Sequence, residues 1–132
     1  MNPESHDIPC THGFHFLIRD SKLNLITTMR SQSAVFVMPI DIFLGTLLQE
    51  IFSNELNLEM GNYYHFSSSF HIYENEFKIS ETILTKKSTI NFEMEKLPPN
   101  IKFSHFNKLI LIEKLIREDY FEGKIRLENL YN

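Results

Sequence analysis

The stretch Pro39–Leu56 reads PIDIFLGTLLQEIFSNEL, and its pattern decides the fold. Ile40, Phe43, Leu44, Leu47, Leu48, Ile51 and Phe52 recur at helical spacing, while Thr46, Gln49, Glu50, Ser53 and Asn54 fill the other side. Pro39 suits the start of a helix, where its missing N–H has no partner to lose. The spacing therefore predicts a long, central helix over Pro39–Leu56. Gly45 within it marks a close packing contact rather than a break.

Just upstream, Met29–Asp41 reads MRSQSAVFVMPID. Arg30 and Ser31 are adjacent, and a guanidinium fork plus a hydroxyl suits a phosphate, because paired donors meet its oxygens. Asp41 offers a carboxylate that accepts a hydrogen bond from an amino group. An acid near a helix start is equally explained as a cap or as a partner of the helix dipole.

Further upstream, residues 1–9 form a polar lead ending at Pro9, and Cys10 follows. Phe14, Phe16 and Ile18 alternate with His15, Leu17 and Arg19, a period of two that predicts a strand. Asp20-Ser21 is a turn signal, and Leu23–Thr28 reads as a second strand, giving an antiparallel hairpin over Gly13–Thr28. Downstream of the helix, Asn62–Tyr73 reads as one long strand with a polar interruption at Ser67-Ser68-Ser69. Glu74–Leu84 is a short helix or a loop, and Thr89–Met94 alternates like a strand. Leu97-Pro98-Pro99-Asn100 breaks the chain, after which Ser104 caps a final helix through Arg117. No element is assigned to Tyr120–Asn132. The expected architecture is α+β: a mixed sheet on the Pro39–Leu56 helix, in a single domain over 1–132.

The chain has 132 residues, 42% hydrophobic and 23% charged, enough for a core and unlike a disordered composition. Its net charge of −4 argues against generic nucleic-acid binding, so an anionic ligand needs a local clamp. Twelve Phe and five Tyr without Trp imply an aromatic core or a buried interface. Strands at Phe14–Ile18 and Asn62–Tyr73 carry aromatics on both parities, and a sheet with two apolar faces needs cover on both. The lone Cys10 makes no internal disulfide, and no apolar leader or membrane-length stretch is visible, so a cytoplasmic location is expected. His12, His15, His65 and His105 lack metal-ligand spacing, and no metal is expected.

From Ile8 to Phe77 the sequence resembles thymidylate synthase and its relatives, the cytidylate hydroxymethylases. The pieces that carry the resemblance are Pro9-Cys10, Phe16 through Asp20-Ser21-Lys22-Leu23, Arg30-Ser31, Pro39-Ile40-Asp41, Leu58-Glu59-Met60-Gly61 and His71-Ile72-Tyr73. Their order and nearly gap-free spacing are specific together. Residues 78–132 are outside it.

The resemblance implies a thymidylate-synthase-like fold lacking its N-terminal part, and transfer of a methyl or hydroxymethyl unit to C5 of a pyrimidine nucleotide. Cys10 would be the nucleophile that attacks C6. Arg30 and Ser31 would hold the phosphate of the nucleoside monophosphate, and His71 and Tyr73 the sugar hydroxyl. Asp41 stands where uracil-specific members carry Asn and cytosine-specific members Asp. A carboxylate only accepts, which suits the 4-amino donor of cytosine. A wrong edge leaves a buried polar group unpaired at roughly 1–3 kcal/mol. The carbon donor implied is 5,10-methylenetetrahydrofolate. The partner implied is a second copy, or a chain supplying the N-terminal half with its catalytic glutamate, since nine residues precede Cys10. Thr11, Ser33 and Val37 stand where the family carries His, a folate-contacting Asp and Gly. These departures bear on folate more than on nucleotide. They leave a second reading open: an inactive homologue that binds nucleotide or serves assembly.

Overall fold

The computed structural model describes residues 8–86 and 93–123. Strands β1 (Thr11–Arg19) and β2 (Lys22–Met29) form the expected hairpin. Asp20 and Ser21 at its tip both adopt positive φ, 51° and 61°, the geometry that lets a two-residue turn follow the twist of its strands. A two-residue strand β3 (Gln32–Ser33) follows, then helix α1 (Val37–Leu56), β4 (Glu59–Ser67) and β5 (Phe70–His71). A 3-10 turn at Glu74–Glu76 leads into α2 (Phe77–Thr85), and α3 spans Phe103–Phe121.

The main sheet has the order β1-β2-β4, with β1 antiparallel and β4 parallel to the central β2. It is mixed and lies on a long helix, as the sequence predicts. The odd positions of β2 face α1: Leu23, Leu25, Thr27 and Met29 are all buried. Phe16 and Tyr63 flank Leu25 in the same row, and the Phe16 ring meets Phe52 of α1 at 4.6 Å between centroids. Burying such side chains is the main stabilising term, about 1.5–3 kcal/mol each.

Two glycines permit close approach. A Cβ on Gly45 would come 2.5 Å from the Tyr63 hydroxyl, so the helix rests directly on that ring. A Cβ on Gly61 would strike the Asn24 side chain at 2.6 Å. Asn24 fills that space because β2 and β4 slip in register between Leu23 and Leu25, and its Oδ1 accepts the Asn62 N–H at 2.8 Å.

The helix orientation follows its periodicity at Ile51 and Phe52 and departs from it elsewhere. Gln49, Glu50 and Ser53, read as the solvent side, are buried, whereas Ile40, Phe43 and Leu44 are exposed. The reason is hydrogen bonding. Gln49 Nε2 donates to the Leu23 carbonyl at 2.7 Å and reaches the Gly61 and Asn62 carbonyls at 3.3 Å. Glu50 accepts the Leu97 N–H at 2.8 Å, tying the segment after residue 92 to the helix.

Other boundaries move too. Asn62–Tyr73 is two strands in two sheets, because the chain turns at Ser68-Ser69 and β5 pairs in parallel with β3. Glu74–Leu84 is the 3-10 turn and most of α2. Ser104 lies inside α3 rather than capping it. The cap is Lys102, whose N–H donates to His105 Nδ1 at 3.1 Å. Of the Thr89–Met94 strand, residues 89–92 lie outside the described residues, and 93–94 are irregular. Among the described residues no helix is long and apolar enough to cross a membrane.

Candidate functional site

The N-terminus of β1, the C-termini of β2 and β4, and the start of α1 meet at one end of the sheet. Cys10 lies one residue before β1, half-buried and free of any disulfide. Arg30 lies one residue past β2. Its backbone N–H donates to the Cys10 carbonyl at 2.9 Å. Its Nε donates to the Pro9 carbonyl at 3.3 Å and its Nη2 to the Ile8 carbonyl at 3.0 Å. A guanidinium has five N–H donors, so this anchoring leaves others for an anion. Thiol-bearing residue and guanidinium thus share one sheet end. Ser31 follows, half-buried. The serine turn folds against this segment: Ser68 N–H donates to the Met29 carbonyl at 3.0 Å, and Gln32 N–H to the Ser69 carbonyl at 2.8 Å.

Pairing of β3 with β5 brings His71 beside Ser33, and the Ala34 N–H donates to the His71 carbonyl at 2.9 Å. The His71 and Tyr73 rings touch edge to face, 4.7 Å between centroids, so they share a side as their spacing implies. Their segment is held from within by Glu76. This buried carboxylate accepts the Ser33 hydroxyl at 3.4 Å and the Tyr73 N–H at 3.2 Å.

Asp41 is not a cap. Helix α1 begins at Val37 and has no acidic residue in its first turn, which places Asp41 in the second. Its Oδ2 instead accepts the amide of buried Gln32 at 2.8 Å. Gln32 Oε1 lies 3.1 Å from His65 Nε2, and His65 Nδ1 lies 2.9 Å from the Tyr63 hydroxyl. Asp41 also lines a cavity of about 330 Å³ with Thr11, Phe14, Thr27, Met29, Leu44, Gly45 and Leu48. The size suits a small ligand. The Thr27 hydroxyl on its wall is buried and has no hydrogen-bond partner among the described residues, an unmet polar demand of the kind that marks a site.

Gln32, His65, Tyr63, Thr27 and Glu76 are the residues sequence reasoning missed. The period-two alternation of β4 does put Tyr63 and His65 on one face. Nothing in the chain joins them to Asp41 before the fold does. Among the described residues no group of three or more His, Cys, Asp or Glu converges as a metal site. Ser33 is buried, and its hydroxyl is turned to Glu76.

A long helix laid across a mixed sheet, with polar groups gathered at the strand ends, defines an α+β domain. The same fold occurs in thermostable thymidylate synthase A from Bacillus subtilis, which superposes with a TM-score of 0.63 at 21% identity, over 71% of this chain and 34% of that one. The thymidylate synthase family model matches residues 3–124. Thymidylate synthase of Staphylococcus haemolyticus (strain JCSC1435) is 30% identical over 96 residues, 73% of this chain and 28% of that protein. Thymidylate synthase of Vesicomyosocius okutanii subsp. Calyptogena okutanii (strain HA) is 30% identical over 95 residues, 70% of this chain and 36% of that protein. The chain belongs to the thymidylate synthase family. It spans about a third of the length of these curated relatives.

Proposed function

We propose that this chain is a pyrimidine-nucleotide-binding unit of the family, built to hold a cytosine nucleoside monophosphate. The observation that carries the reading is the anchoring of Arg30 on the carbonyls of Ile8 and Pro9, immediately before Cys10. That contact brings the Arg30 guanidinium against the segment that leads into Cys10, which supports reading the two together as an anion clamp and a nucleophile. Arg30 and Ser31 take the phosphate, His71 and Tyr73 the sugar, and Asp41 the 4-amino group. Cys10, as thiolate, adds to C6 of the base. The electron pair moves to C5, which can bond a one-carbon unit; loss of the C5 proton would then break the Cys10–C6 bond and return the thiolate, with water completing a hydroxymethyl group or a hydride from the reduced folate completing a methyl group.

Methylenetetrahydrofolate is the family's carbon donor. The inward Ser33 hydroxyl argues that it is held mainly by groups other than these, on a second copy or on another chain. The same observation favours a second reading, in which the chain binds nucleotide and serves assembly without turnover. A cytoplasmic location accords with either.

Titration calorimetry with CMP, dCMP and UMP tests the binding. Arg30→Ala is expected to weaken CMP by on the order of tenfold or more, the loss of a charge-assisted contact. Equal affinity of wild type and variant sinks the phosphate clamp. Intact-mass measurement with a 5-fluoropyrimidine nucleotide and methylenetetrahydrofolate separates the two readings. An adduct that Cys10→Ser abolishes supports chemistry, and binding without adduct supports the assembly role.

A further inference from the structure

Four side chains run in series from the cavity into the sheet: Asp41, Gln32, His65 and Tyr63. Each link is a bond between a group that donates and one that accepts, so the series has a direction. A carboxylate at Asp41 only accepts. Gln32 must therefore present its NH₂ there, and its Oε1 faces His65. That oxygen only accepts, so His65 must carry its proton on Nε2. Nδ1 of the neutral ring is then an acceptor, and the Tyr63 hydroxyl donates to it. Gln32 is 1% exposed and cannot exchange these partners for water.

We infer that Gln32, His65 and Tyr63 are positioning residues that hold the Asp41 carboxylate with Oδ2 on Gln32 and Oδ1 toward the cavity, so that its fixed acceptor selects a ligand edge that donates over one that accepts. The inference deepens the nucleotide reading and rests on it for the identity of the ligand. Oδ2 of Asp41 is taken by Gln32, which leaves Oδ1 as the acceptor offered to the cavity. Reversing the series would require Asp41 to donate, Gln32 to turn over, His65 to move its proton to Nδ1 and the Tyr63 hydroxyl to accept. Gly45 lets the helix press on that hydroxyl, which limits the room for a new partner there. Selectivity at one end of the series is thereby coupled to a hydrogen position at the other. Thr27, whose hydroxyl is unpartnered, stands opposite His65 in the strand register and lines the same cavity. It supplies a second polar contact to a ligand seated against Asp41.

The test has two arms. In protein labelled with ¹⁵N-histidine, two-bond proton–nitrogen correlation reads the tautomer of His65, assigned by its loss in His65→Gln. The Nε2–H tautomer is expected in wild type, and Asp41→Asn, which can accept or donate, is expected to let the Nδ1–H form appear. Calorimetry then compares CMP with UMP. Wild type is expected to prefer CMP by on the order of tenfold. His65→Leu should bring the ratio near one, and His65→Gln, whose amide N–H can replace Nε2–H, should restore it. Tyr63→Phe, the milder change, should lower the ratio with little loss of thermal stability. A wild-type Nδ1–H tautomer overturns the inference, and so does an unchanged CMP-to-UMP ratio in folded His65→Leu. Should neither nucleotide bind while His65 holds the Nε2–H form, the nucleotide reading fails and the directed series stands.

Discussion

The two faces of the main sheet are built from the same alternation, yet on one α1 buries the central strand, leaving only edge residues such as Phe14 and Ile18 exposed, and the other is bare. Toward α1, Leu23 and Leu25 of β2 are 1% and 0% exposed. On the opposite face His15, Ile26 and Tyr64 form one row across the three strands, and Gly13, Thr28 and Phe66 the next. Tyr64 is 45% and Phe66 58% exposed. Exposed aromatic side chains side by side on a sheet face make it the candidate surface for the assembly proposed above. The covered face supplies the fold and the cavity.

The strongest way to break the contrast is Leu25→Ala. Its fully buried side chain should cost roughly 2–5 kcal/mol, read by urea denaturation, because removal leaves a cavity. Next comes Gly45→Ala. The added methyl must displace the Tyr63 ring, at about 1–3 kcal/mol of overpacking. The same change should perturb the His65 ring signals, since Tyr63 bonds to it. Smallest in fold stability is Phe66→Lys on the bare face, expected to stay within about 0.5 kcal/mol in the monomer. Its effect should appear instead in light scattering, as a shift from dimer to monomer. An unchanged mass for a dimeric wild type would remove this face from the interface.

The sequence disclosed the hairpin, the central helix and the mixed sheet because each follows from local periodicity and turn chemistry. It read only part of the inner stripe of α1: Ile51 and Phe52 face the sheet as expected, but so do Gln49 and Ser53. Gln49 and Ser53 are polar by type, but their side chains bond to the Leu23 carbonyl and to the helix's own Gln49 carbonyl. A hydropathy pattern does not register a buried amide that has partners. The single strand read over Asn62–Tyr73 failed for a related cause: the alternation continues through the serines, while the pairing partner changes from β2 to β3. At the candidate site, Cys10, Arg30, Ser31, Asp41, His71 and Tyr73 were named from the resemblance. Gln32, His65 and Tyr63 escaped because each touches Asp41 or its neighbours only across the fold. Asp41 itself was ambiguous from sequence, since a helix-start acid has two explanations. The placement of α1 from Val37 removes the capping one.

The hairpin tip has a practical consequence. Asp20 and Ser21 both occupy the left-handed region, which costs a side-chain-bearing residue roughly 1–2 kcal/mol against glycine. Combining Asp20→Asn with Ser21→Gly should relax that corner, well away from the strand ends where ligand would sit. The pair of changes would raise the melting temperature of every variant made at those ends. Loss of binding could then be separated from loss of structure, from a stabilised background rather than from the native chain.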